Sequence, residues 1–488
     1  MQKVAVIGAG IGGLTAGALL AKRGFSVDVY EQSAIAGGCA STFRRKGFIF
    51  DVGATQVAGL EAGGIHQQIF RELEVDLPLA SYCDPACAVY LPQETTPINI
   101  WRDPQRWQAE RMRQFPNSEP FWQFLADLFA RSWRFQQRNP VLPPRTVSDW
   151  WHLLKAMRWD TIATFPYTLA TVGDALRGFG LAGDRRLKTF LDLQLKLYSQ
   201  VDAEATALLY AATTLSLAQA PLGLFHLKGS MQVLTDKLLE ALHKWGGRLH
   251  TLHRVEAIEA KNPPQIKVHR LRTGESWWVP AHHVVANVTV QNLVELTGSA
   301  LPSGYRRKVA SLPPASGAFV VYLGVDRSAI PPDCPPHLQF LDDYTAKRSL
   351  FVSVSQPDDG RAGADKATII ASEFTDPALW ENSANYEELK QFFTERAIAQ
   401  LGKFFHLSGT IQHQEAATPR TFLRYTARHR GNVGGVGMRV SQFGLWGFAN
   451  RTPLHHIWLV GDCTHPGEGT AGVSYSAMTT VQHICAQS

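Results

Sequence analysis

Cysteine is scarce in this chain, charge of one sign barely predominates, and long apolar runs are missing. The six cysteines, Cys39, Cys83, Cys87, Cys334, Cys463 and Cys485, are irregularly spaced along 488 residues. That argues against a disulfide framework and predicts free thiols in a reducing compartment. Cys83 and Cys87 are close enough to share a metal, but no second ligand pair accompanies them and no metal is expected. The net charge of +6 is spread out. It suits an anionic surface such as a membrane and makes no case for nucleic acid. No run of about 18 apolar residues occurs, so no segment is expected to span a bilayer. The chain opens directly on an apolar strand, and no signal peptide is expected.

What is present begins at Val4. Residues 4–31 read VAVIGAGIGGLTAGALLAKRGFSVDVYE. A short apolar run enters a glycine turn and leaves it as a helix. Gly8, Gly10 and Gly13 form G-x-G-x-x-G, with Gly12 inside it. Gly8 permits the tight turn, Gly10 admits a pyrophosphate to the backbone, and Gly13 lets helix and strand pack closely. The helix start then directs free N–H groups at the phosphates. A second strand, residues 25–30, delivers Glu31, placed to accept ribose hydroxyls. Strand, glycine turn, helix, strand and acid in that order predict a dinucleotide site.

Two more blocks extend it. Gly37-Gly38 precedes Cys39 and the segment GFIFDVGA (47–54), which Thr55 follows. Near the far end stands HIWLVGDCTHPGEGTAGVSYSAM (456–478). Together the three blocks resemble the FAD-dependent family of amine oxidases, protoporphyrinogen oxidases and carotenoid desaturases. The resemblance implies an α/β fold: a discontinuous Rossmann-like FAD-binding domain of the glutathione-reductase and amine-oxidase type, with an α+β substrate domain. It assigns cofactor contacts to Gly8, Gly10, Gly12, Gly13, Glu31, Gly37, Gly38, Cys39, Thr55, Val255, Gly461, Asp462, Gly472 and Val473. Many relatives carry arginine where this chain has Cys39, so a fixed charge is missing from the site and an amine-oxidase reading is weakened. Relatives also carry Gly-Gly where Gly229-Ser230 stands. Asp51 reads as a turn acid satisfied by nearby amides.

Motif spacing divides the chain into 1–75, 225–300 and 426–488 for the FAD domain, and 76–224 with 301–425 for the substrate domain. Two domains suit the length. Within 76–224 the nucleotide motifs vanish and aromatics accumulate. Seven of thirteen tryptophans fall between 101 and 159. Pro140, Pro143 and Pro144 mark a loop before a helix over 148–158, with Trp150, Leu153, Leu154 and Met157 on one stripe and Lys155 and Arg158 off it. Such a helix, near 148–160, either faces its own core or lies in a membrane interface. Residues 231–243 read as a helix and 283–288 as a strand closing this part of the sheet. Strands over 319–325, 350–355 and 368–374, with a helix bearing Leu389, Phe392 and Phe393, predict the floor and lid of a substrate cavity.

RGNVGGVG (430–437), GLWGFANRTP (444–453) and VGDCTHPGEGTAGVSYSA (460–477) look like bacterial carotenoid desaturases, in detail the carotenoid 3,4-desaturases of oxygenic bacteria. GATQVAGLEAGGIHQQIF (53–70) points the same way. The carotenoid isomerases are neighbours in that family. The resemblance implies C-3,4 desaturation of an acyclic carotenoid end in an aromatic-lined tunnel, with a quinone or oxygen as electron acceptor, on the cytoplasmic side as a peripheral membrane enzyme. The alternative is cis–trans isomerisation with reduced FAD. A third reading, a prenyl-lipid escort of the same fold without flavin, conflicts with the intact glycine turn, Glu31 and Gly461-Asp462. Proton transfer falls first to Glu468 and second to His465, whose ordinary pKa of ~6.5 suits the task. The competing reading has Glu468 capping the last helix or pairing with an arginine. Glu61 and His66 could instead read a hydroxyl on the substrate end.

Overall fold

The computed structural model describes residues 1–345, 348–381 and 384–487. Five parallel strands build the first sheet, in the spatial order Arg248–Thr251, Ser26–Glu31, Lys3–Ile7, His283–Ala286, Ile457–Leu459. Strands from the start, middle and end of the chain thus lie side by side. The run Val4–Ile7 is buried throughout, as expected of a parallel strand covered on both faces. The helix Ile11–Lys22 is buried from Ile11 to Ala21. It has no polar face because the sheet lies on one side and the helices Gln232–Lys244 and Thr470–Cys485 on the other.

One boundary and one position differ from the sequence reading. The strand expected over 283–288 stops at Ala286, and it does not close the sheet. It pairs with Lys3–Ile7 on one side and Ile457–Leu459 on the other. An edge strand and a central strand carry the same apolar signature when both faces are covered.

A second sheet of seven strands collects residues 88–99, 317–375 and 411–417. The strand Gly317–Asp326, one in from its edge, presents Phe319, Val321, Leu323 and Val325 to one core, shared with Phe393, Ala397 and Leu401 of the helix Tyr386–Leu401. The alternate residues Ala318, Val320 and Tyr322 pack on Phe48, Phe50 and Phe422. Of the two adjacent phenylalanines expected on that helix, only Phe393 is buried; Phe392 is 57% exposed.

The aromatic segment also divides. Trp107, Phe121 and Trp122 are solid core with Phe115 and Phe190 rather than the lining of a tunnel. The helix Val147–Ala156 starts at a reciprocal cap between Thr146 and Asp149 and buries Asp149, Leu153 and Ala156. Trp150, Trp151 and Leu154 are more than half exposed, and Met157 lies just past the helix end. The single stripe predicted there is therefore two faces, with the heavier apolar residues outward.

Arg361 ties the loop after the strand Ser349–Val354 to segments much earlier in the chain. Its guanidinium is buried, with Nη2 at 3.0 Å from Asp51 Oδ2, Nη1 at 3.1 Å from Asp359 Oδ2, and a 2.8 Å bond to the Leu227 carbonyl. Asp51 also accepts from the Met231 amide at 2.8 Å. The expected turn acid is half of a buried ion pair with a residue far along the chain, which no local pattern announces. Removing one member of a buried pair leaves the others uncompensated. Arg361→Leu is expected to cost about 3–5 kcal/mol, whereas Lys403→Met, which loses the exposed pair to Asp342, should cost less than about 1 kcal/mol. Chemical denaturation of the two variants side by side checks this, and equal losses would refute it.

Candidate functional site

The turn between the first strand and first helix is dictated by sterics. Gly8 has φ +89°, a region that L side chains avoid. A Cβ on Gly13 would lie 2.1 Å from the Gly8 carbonyl oxygen, and one on Gly8 would lie 2.9 Å from the Asn287 carbonyl oxygen. Asn287 follows the strand His283–Ala286 and fills the space behind the turn. Its side-chain amide would sit 2.9 Å from a Cβ on either Gly10 or Gly12. Sequence reasoning missed this residue, because a lone asparagine after a strand carries no motif.

Glu31 is buried at the end of its strand, where Oε2 accepts from the Ala9 amide and Oε1 from the Ser33 amide, each at 2.8 Å. Burial raises its pKa, and the two amides oppose that. Each oxygen keeps a lone pair for a ribose hydroxyl. Gly37 donates to the Ala9 carbonyl at 2.8 Å and forms a bridge with Gly10, so the Gly37-Gly38-Cys39 turn lies against the first glycine turn. The Cys39 thiol is pushed up by burial, and its carbonyl accepts from Ala54 at 3.1 Å. Thr55, the other position the resemblance assigns to the cofactor here, is buried beside the second sheet. Its hydroxyl takes a 2.7 Å bond from Ser353 of the second sheet. Val255 is 9% exposed, at a bulge that breaks the ladder between Val255 and Ala257.

The C-terminal block completes the groove. Gly461 has φ +118°, and a Cβ there would meet the Asn287 side-chain oxygen at 3.2 Å. The Val473 carbonyl lies 3.4 Å from the Cβ position of Gly12, and a Cβ on Gly472 would be 2.6 Å from the Gly467 carbonyl. The two ends of the polypeptide thus form opposite walls of one cleft. Thr235 Oγ1, beside Gly37, and His465 Nδ1, Glu468 Oε1, Thr470 Oγ1 and Tyr475 Oη of the C-terminal block are buried with no partner among the described residues. Buried polar atoms normally have one. Absent side chains at the glycine turns, free lone pairs on Glu31 and unpartnered polar atoms on these segments all fit a dinucleotide longer than its pyrophosphate.

Glu468 and His465 lie at the far end. Glu468 Oε2 accepts from Gln200 Nε2 at 3.0 Å, while Oε1 has no partner. Burial, reinforced by Asp462, pushes its pKa up to about 8. It does not cap the last helix, whose N-terminal flank is Gly469, and among the described residues it forms no salt bridge with an arginine. His465 is buried, with Nε2 at 3.1 Å from Gln136 Oε1, and burial lowers its pKa to about 4. It is neutral near pH 7. Glu61 and His66 do not form a common polar site. Glu61 accepts from the Gly59 amide and braces its own loop, and His66 is fully buried with neither ring nitrogen bonded.

Residues 6–73 match the family of NAD(P)-binding Rossmann-like domains. Over 99% of its length the chain is 26% identical to prolycopene isomerase 2 of an Oncidium hybrid cultivar, covering 83% of that protein. It is 24% identical to a 4,4'-diapophytoene desaturase of a Methylomonas species, over 99% of this chain and 95% of that one. Among solved structures, a triple mutant of putrescine oxidase superimposes with a TM-score of 0.66 at 15% identity, covering 100% of this chain and 99% of that one. That likeness is one of fold.

Gly13→Ala is expected to yield protein without bound dinucleotide, because the added carbon meets backbone at 2.1 Å. Gly178→Ala, where a Cβ meets nothing within 4 Å, should retain it. Absorbance of the two purified variants checks this; a fully loaded Gly13→Ala protein would refute it.

Proposed function

We propose, from a likeness to carotenoid isomerases and desaturases that runs the length of the chain, that this protein is an FAD-dependent oxidoreductase acting on a carotenoid. The observation that carries the reading is the cleft closed by both chain ends. The first glycine turn and Glu31 suit the adenosine half, and Gly461, Asp462, Gly472 and Val473 extend the same groove for a flavin half. FAD, when bound, supplies the hydride chemistry.

The finer reading is desaturation of the C3–C4 bond at an acyclic end group. An allylic position suits it, because positive charge left there spreads along the polyene. The proton lost next goes to Glu468, whose Oε1 is buried and has no hydrogen-bond partner among the described residues. Gln200 holds the other oxygen and so fixes the carboxyl in place. The electrons then pass to a quinone or to oxygen. Cis–trans isomerisation is the second reading, favoured by the likeness to prolycopene isomerases. There Glu468 acts as an acid, and no electron acceptor is needed.

A membrane surface is the proposed source of substrate. Val147, Trp150, Trp151, Leu154, Trp159 and Phe165 are 52–88% exposed on one stretch of chain, with Lys155 and Arg158 among them. Monomeric proteins rarely leave so large an apolar patch bare. A shallow surface depression of about 420 Å³ is lined by Leu169, Val440 and Trp446. Among the described residues no helix is long and apolar enough to cross a membrane, so the proposed attachment is peripheral, on the cytoplasmic side.

Product mass separates the two reactions: desaturation of lycopene removes two hydrogens, and isomerisation of a cis-carotenoid removes none. Unchanged pigments of every geometry, with folded and flavinated protein, would overturn both. The pH profile gives a second check. A base is active when ionised, so desaturation should rise as pH passes about 8, whereas acid-dependent isomerisation should fall through the same range. Glu468→Gln should flatten either profile and slow turnover about 10²–10⁴-fold. In vesicle flotation, Trp151→Ser with Trp159→Ser should release the protein from liposomes, and unaltered binding would remove the membrane reading.

A further inference from the structure

A dinucleotide pyrophosphate brings negative charge into a cleft that already holds two carboxylates, Glu31 and Asp462. The N-terminus of the helix Ile11–Lys22 offsets only about half an elementary charge. Cys39 stands where a cation would be useful, and the next basic residues along the chain, Arg44 and Arg45, are exposed. The guanidinium that does face this turn comes from the other end of the sequence.

Arg428 is 18% exposed in its side chain. Nε donates to the Asn432 carbonyl at 2.8 Å, and Nη2 donates to the Gly434 carbonyl and lies 2.8 Å from Asp462 Oδ2. The guanidinium is close enough to the Cys39 thiol to act on it electrostatically. Two carbonyls and a carboxylate therefore clamp one side of the group between the Gly37-Gly38-Cys39 turn and Gly461-Asp462. Nη1 makes no hydrogen bond among the described residues and is not closed off as the orphaned atoms above are, so its two N–H donors are open to a ligand.

We propose that Arg428 is a cofactor-binding residue, its Nη1 donating to the pyrophosphate of FAD and replacing the charge lacking at Cys39. This rests on the FAD reading above. It also gives the Arg428–Asp462 pair a purpose: Asp462 fixes the guanidinium, and the guanidinium cancels the carboxylate's repulsion of phosphate.

The test is the FAD dissociation constant of deflavinated protein, followed by flavin fluorescence across a salt series, with circular dichroism of each variant as the folding check. Arg428→Gln keeps an N–H for the Asn432 or Gly434 carbonyl but drops the charge. It should bind FAD at least about tenfold more weakly, the effect of losing one charge-assisted bond, and with a shallower salt dependence. The double variant Arg428→Gln with Asp462→Asn should remain weak. Wild-type affinity in that double variant would mean that Arg428 only neutralises Asp462, and would overturn the proposal. Unchanged affinity and salt dependence in Arg428→Gln would overturn it too, while leaving the FAD reading intact. Should Arg428→Gln not fold, Arg428→Lys decides: a partial loss with the salt dependence kept supports the proposal, and unchanged affinity overturns it. Wild-type protein that takes up no FAD removes both readings.

Discussion

The fold turns on a contact too close for any side chain. The strand Lys3–Ile7 and the helix Ile11–Lys22 meet so tightly that the Cβ position of Gly13 is 2.1 Å from the Gly8 carbonyl. Only glycine tolerates that approach. It leaves backbone N–H groups bare at a helix start, and it opens space that Asn287 fills from behind. The remaining walls of the cleft are positioned against this turn. The Gly37 amide bonds to Ala9, the Glu31 carboxylate accepts from the same residue's amide, and Val473 of the last helix packs over Gly12.

Two of the largely buried charge pairs join distant segments near the site. Arg361 links the loop after the strand Ser349–Val354 to Asp51, near the dinucleotide turns. Arg428 links the segment before Gly434 to Asp462. Buried ions without such partners are costly, so each pair holds its segments in one register. The bond between Thr55 and Ser353 does the same work with two hydroxyls. Polar contacts thus fix how these loops pack around the dinucleotide turns.

The glycine turn, the helix it starts and the acid at the end of the second strand were legible because each rests on local sterics and fixed spacing. Resemblance of the C-terminal block extended the reading to a flavin. Asn287, Gln200 and Arg428 escaped it: each is a single residue whose role depends on a neighbour hundreds of positions or a whole domain away. Apolar periodicity was a weaker guide in the helix Val147–Ala156. It located the helix but did not say which face is wet, because tryptophan and leucine carry the same signal towards a core or towards a lipid.

Sequence by itself determined the dinucleotide turn, the elements around it and the resemblance of the two chain ends to FAD-dependent carotenoid desaturases, since these follow from glycine geometry, periodicity and recognisable blocks. Tertiary structure alone decided which charges meet and which are shut away from water. It paired Arg428 with Asp462, left Glu468 with one unpartnered oxygen, and turned Trp150 and Trp151 outward. Pairing, burial and exposure depend on what folds over a residue, and that is written in no neighbouring position of the chain.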